Sequence, residues 1–170
     1  MHRYHNSPRK IKRQLPQNSL NGRRPTRRAT QYHNAAGRQR GGRAAHHGRN
    51  RLRRGMRRAD RLASSLHRRA LVAVYATPLR RAQATAAPVA RDHGLEVTTY
   101  DAATPPAEFA QRLRGAHAAG TVLVVGHSNT VPAIAQALCG CTIGPIAETE
   151  YGRRITVRAH PDGRVTVDDR

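Results

Sequence analysis

The strongest constraint in this chain is a run of five residues. Thr121 to Val125 reads TVLVV, four large aliphatics in five positions, closed by Gly120 and Gly126. A strand that shows one face to water alternates apolar and polar residues. An unbroken aliphatic run between turn-formers instead describes a strand covered on both faces, which usually means a parallel strand between layers of helix. Whatever folds here must therefore supply helices on two sides of a sheet.

The flanking sequence does so. Leu71 to Ala76, LVAVYA, is a second buried-strand run. Behind it Thr77 reads as an N-cap and Pro78 as a first helical residue, opening a helix to about Asp92 that His93 and Gly94 end. Glu96 to Tyr100 is a weaker strand. Thr104, with Pro105 and Pro106 behind it, starts a helix to about Ala119 whose Phe109 and Leu113 face inward. After TVLVV comes a helix of VPAIAQAL character, and upstream Arg57 to Arg69 spaces Ala59, Leu62, Ala63 and Leu66 as an amphipathic helix. Near the end, Arg154 to Ala159 and Arg164 to Asp168 are joined through Asp162-Gly163, the signature of an antiparallel hairpin. The pattern predicts a three-layer α/β/α domain with a mixed, mainly parallel sheet.

Charge divides the chain differently. Of its 170 residues, 31 are Lys or Arg and 10 are Asp or Glu, a formal net charge of +21. From Met1 to Arg58 there are 18 basic residues and no acid; the remainder is nearly balanced. Residues 1–54 are expected to be an Arg-rich, disordered segment and residues 55–170 the folded domain. Three readings of 1–54 stand side by side: an arm for non-specific nucleic acid, a low-complexity segment without a partner, or a mis-framed translation in place of the natural start. The abrupt onset of ordered texture at Gly55-Met56 favours the last. No apolar run is long enough for a membrane span and no signal peptide follows the basic start, so a cytoplasmic location is the default expectation. Cys139 and Cys141, one residue apart, are expected to be free thiols because a bridge needs a specific Cα spacing.

In layered α/β folds, ligands bind beyond the carboxyl ends of the strands, where helix N-termini present N–H groups and a positive dipole end. Two junctions qualify. Thr77-Pro78-Leu79-Arg80-Arg81-Ala82-Gln83-Ala84-Thr85-Ala86 places a guanidinium in a first helical turn, and Val125-Gly126-His127-Ser128-Asn129-Thr130 places an imidazole at a strand end. Convergence of the two would make a phosphate pocket. The first stretch resembles the histidine-phosphatase pattern of a small residue, x, Leu, x, Arg, Ala, x, x, Thr, Ala. The second resembles that family's Gly-His-Ser motif, and the two lie in the right order about 45 residues apart. Glu150-Tyr151 before RRITVRA is similar to a strand entry common in the family. The resemblance covers about residues 56–170.

The resemblance implies a phosphoglycerate-mutase-like fold and metal-independent phosphomonoester hydrolysis through a phosphohistidine intermediate, with no cofactor. The substrate would be a phosphorylated small molecule or a phosphoprotein, and no membrane is involved. It further implies that Arg81 clamps phosphate, that His127 is the second catalytic histidine, and that Ser128 adds a backbone N–H. Arg80 is expected to be a solvated neighbour. Asp101 and Glu108 lie where a general acid would come from, but a cap or turn suits Asp101 better and the first turns of a helix suit Glu108 better. The family's first motif, Arg-His-Gly or Arg-His-Ala at the end of the first strand, carries the nucleophile, and no Arg-His dipeptide occurs in this chain. The nearest imitation, His46-His47-Gly48, has no aliphatic strand before it. The first strand is therefore expected to be absent, which puts the activity of the chain in doubt. The alternative is an Arg-rich nucleic-acid-binding protein with a degenerate phosphatase-like domain.

Overall fold

A computed structural model of the chain describes residues 30–36, 45–147 and 149–170. Its elements in order are β1 (Thr30–Ala36), α1 (Ala45–Leu66), β2 (Leu71–Ala76), α2 (Arg80–Asp92), β3 (Val97–Thr99), α3 (Pro106–Ala116), β4 (Thr121–Gly126), α4 (Val131–Cys139), β5 (Arg154–Ala159) and β6 (Val165–Asp169). The six strands form one sheet in the order β3-β2-β4-β1-β5-β6. β3, β2, β4 and β1 run parallel, whereas β5 and β6 are antiparallel to their neighbours.

Every residue of β4 is buried, as its unbroken aliphatic run requires. Period-2 alternation sends Val122 and Val124 into one core and Leu123 and Val125 into the other. The first core lies under α3 and α4, where Phe109 stacks on Tyr100 at 4.4 Å and meets Tyr75 edge-on at 5.8 Å. The second joins Ala63 and Leu66 of α1 to Ala82, Ala86 and Val89 of α2. The architecture is thus three-layer α/β/α with a mixed, mainly parallel sheet. The terminal hairpin is held by Arg153, which donates from Nε and Nη2 to both carboxylate oxygens of Asp169 at 2.7 and 2.6 Å.

The structure corrects several expectations. The first strand is present: β1 occupies the middle of the sheet, pairing with β4 on one side and β5 on the other. Its sequence, TQYHNAA, has no large aliphatic residue, so composition concealed it. Two buried neighbouring strands supply the apolar surface that β1 lacks, and its backbone needs only their hydrogen bonds. β1 and the first three turns of α1 both lie upstream of residue 55, where the ordered texture was expected to start. The expected disorder of residues 1–29 falls outside the described residues.

Cys139 and Cys141 are joined in a disulfide, not free. Gly140 between them adopts a left-handed conformation (φ 66°) that closes α4 and folds the chain back, bringing their Cα atoms to 5.1 Å, within bridging range. The α2 helix opens at Arg80, two residues later than expected, because the Thr77 N–H still donates to Val125 O across the sheet at 3.2 Å. Similarly, α3 opens at Pro106 and ends at Ala116.

Candidate functional site

β2 and β4 are parallel neighbours, and Ala76 pairs with Val125, so both strands end at the same edge of the sheet. Each hands its chain directly to a helix there. Arg81 is the second residue of α2, half-buried, while Arg80 beside it is exposed. His127 follows the last residue of β4 and precedes the turn into α4. The structure brings these two sequence-predicted side chains together: Arg81 Nη2 donates to His127 Nδ1 at 3.4 Å.

That contact fixes a tautomer. Guanidinium is a donor only, so Nδ1 must accept and the imidazole proton resides on Nε2. Arg81 Nε is buried without a hydrogen-bond partner, and burial lowers the arginine's affinity for its proton. A buried donor with no acceptor and a guanidinium in a first helical turn are both features that an anion would satisfy.

Backbone positioning at this edge is tight. The His127 N–H donates to Thr130 Oγ1 at 3.1 Å, and the Thr130 and Val131 N–H groups both donate to His127 O, so the histidine is held from both sides of its own peptide. Gly126 must be glycine: a Cβ there would stand 2.5 Å from the Tyr100 hydroxyl and 3.0 Å from Thr130 Oγ1. Burial pushes the Tyr100 phenol up to about 12, tempered by the Thr130 hydroxyl beside it. Tyr100 and Thr130 are positioning residues that sequence reasoning missed. The one local signal for them is a Thr immediately before a helix. Ser128 lies half-buried in the turn between His127 and α4.

The general-acid candidates do other work here. Asp101 Oδ1 accepts the Ala103 N–H at 2.9 Å, closing the turn after β3, and exposed Glu108 pairs with Arg112 at 3.9 Å along α3. His47 lies on α1, not at a strand end. Among the described residues, the one imidazole on β1 is His33. It sits in mid-strand opposite Leu123 and Thr156, 4% exposed, with Nδ1 2.9 Å from Thr156 Oγ1. Burial, reinforced by Arg154, Arg69 and Arg158, lowers its pKa to about 4. The strand's end is Ala35-Ala36, and Ala36 pairs with Gly126 immediately before His127. Among the described residues, no group of three or more His, Cys, Asp or Glu is placed to hold a metal ion, and no helix is long and apolar enough to cross a membrane.

No curated protein matches the chain. Solved structures similar to it include a mycobacterial glucosyl-3-phosphoglycerate phosphatase, at 12% identity and TM-score 0.58 over 83% of this chain and 97% of that one. A phosphoglycerate mutase from Plasmodium falciparum aligns at 12% identity and TM-score 0.53 over 83% and 89%. A putative phosphohistidine phosphatase SixA from Agrobacterium tumefaciens aligns at 17% identity and TM-score 0.52 over 85% and 98%. At these identities the likeness is one of fold, and the fold is phosphoglycerate-mutase-like. Residues 27–103 match the model of the histidine phosphatase superfamily (branch 1), a stretch that begins before β1 and includes the Arg81 junction. That match covers rather less than half of the chain, so it and the fold make the protein similar to the histidine phosphatase superfamily.

Proposed function

We propose that this chain binds the phosphate group of a phosphorylated small molecule or phosphoprotein at the edge where β2 and β4 end, and that it forms no phosphohistidine there. Arg81 supplies the charge, with the imidazole of His127 beside it and the Ser128 N–H a further donor. The observation that carries the reading is the 3.4 Å approach of Arg81 to His127 across two strand ends. Phosphoryl transfer asks little of a protein beyond positioning and charge stabilisation, and these groups are suited to both.

The covalent route of the superfamily needs an imidazole nitrogen in line with the leaving oxygen. β1 ends in alanines beside this site, and its imidazole, His33, is buried about three residues, roughly 10 Å, back along the strand. Among the described residues no imidazole stands at the end of β1, which supports recognition of phosphate without a covalent intermediate. The alternative is phosphomonoester hydrolysis of the kind carried out by the histidine phosphatases that the chain resembles.

Binding of inorganic phosphate and orthovanadate to the full chain, followed by calorimetry, tests this, with p-nitrophenyl phosphate turnover measured alongside. We expect binding, no turnover above buffer, and affinity about 10- to 100-fold weaker in Arg81→Ala, the loss of one charged hydrogen bond of about 1.5–3 kcal/mol. Turnover by the wild type that disappears in His127→Ala would show hydrolysis at this site and overturn the reading of binding alone. Equal phosphate binding by wild type and Arg81→Ala would remove the site altogether.

A further inference from the structure

The middle of α1 has no role in the site above, and its surface is dense in arginine. Residues 51–61 hold six arginines and one acid, Asp60. Leu52, Met56, Ala59, Ala63 and Leu66 follow one another at spacings of four and three, so they form a single stripe along the helix. Its C-terminal part is core, with Ala59, Ala63 and Leu66 at 5% exposure or less, whereas Leu52 and Met56 are 66% and 59% exposed. Residues 51–54 are all exposed, and four consecutive helical residues cover every face, so this turn projects from the body of the domain.

Arg51, Arg54, Arg57 and Arg61 lie on the arc away from that stripe, pointing to solvent. At 1.5 Å per residue they extend over about 15 Å of helix axis. We propose that this projecting, arginine-covered stretch of α1 is a docking surface for the phosphodiester backbone of nucleic acid. Guanidinium forks bind phosphate oxygens in pairs, the charge is of one sign over the whole arc, and a helix of about 10–12 Å diameter enters a major groove about 12 Å wide. A bilayer surface fits less well. An interfacial helix buries its apolar face in lipid, and here three of the five residues of that face are already committed to the protein's own core. The surface carries charge without a base-reading constellation, so the binding is sequence-independent.

The test is fluorescence anisotropy of the full chain with a labelled duplex of random sequence about 20 base pairs long, between about 50 and 200 mM salt. The comparison is the variant Arg51→Gln/Arg54→Gln/Arg57→Gln/Arg61→Gln. Because the arginines before residue 45 are common to both proteins, the difference isolates α1. Each phosphate contact contributes about 0.9 to the slope of log affinity against log salt, so the quadruple variant should lose about three to four units of slope. If circular dichroism shows that the variant has unfolded, Arg51→Gln and Arg54→Gln singly, in the projecting turn, should each lose about 0.9. An unchanged slope in folded variants overturns the proposal. So does binding to phosphatidylglycerol vesicles without binding to the duplex.

Discussion

Acidification should destabilise this protein through His33. The imidazole is buried at 4% exposure, bonded through Nδ1 to Thr156, and its Nε2 is buried without a partner. Burial, and then the charges of Arg154, Arg69 and Arg158, oppose an imidazolium here, with only Asp168 favouring one. The folded-state pKa is lowered from 6.5 to about 4. Below 6.5 the unfolded chain binds a proton that the folded chain refuses, so stability falls as pH falls and stops falling below about 4. A shift of about 2.5 units at 1.36 kcal/mol each gives a loss of about 3 kcal/mol, a large share of a typical total of about 5–15 kcal/mol.

Urea unfolding of wild type and His33→Asn at half-unit steps from pH 7 to 4 reads this directly. Asparagine keeps a polar group beside Thr156 but does not titrate. Asp168 and Asp169 have pKa values lowered from 3.8 by Arg170 and Arg153, so their contributions are complete above 3.8 and are lost only below the window. The wild type should therefore lose about 3 kcal/mol more than the variant between pH 6.5 and 4. A difference between the two proteins that stays constant across the window refutes the reasoning.

Gly126→Ala should cost about 1–3 kcal/mol, because its Cβ overpacks against Tyr100 and Thr130; a denaturation midpoint equal to that of wild type would show that this edge of the sheet can yield. Reduction of Cys139–Cys141 should cost only about 1–2 kcal/mol, since a bridge across one intervening residue closes almost no loop. Thermal melts with and without reductant measure it, and a loss above about 4 kcal/mol would mean that the bridge holds more than its own turn.

What could be read from the sequence depended on whether a residue's role was local. β4 announced itself because an aliphatic run between glycines suits little except a strand covered on both faces, and Arg81 and His127 were legible because each sits within a few residues of the strand end that aims it. β1 was invisible for the opposite reason. Thr30 to Ala36 becomes a strand through what lies on either side of it, and the apolar surface that justifies it belongs to β4 and β5. The burial of His33 follows from that register alone, since a shift by one residue would turn the imidazole to the other face of the sheet. The Cys139–Cys141 bridge depends on the positive φ of Gly140, which residue spacing does not reveal.

The recovered strand changes the meaning of the missing Arg-His motif. Had β1 been absent, the parallel sheet would have ended at β4, leaving its backbone unpaired and the His127 junction open on one side. Instead Ala36 pairs with Gly126, so the framework beside His127 is complete up to the point where a nucleophile would stand. What the chain lacks is the Arg-His dipeptide and not the strand that would carry it. Loss of an element would be expected to remove phosphate binding and folding together. On the function proposed above, loss of a side chain would remove the covalent step alone, because Arg81 and His127 are positioned by β2, β4 and their helices.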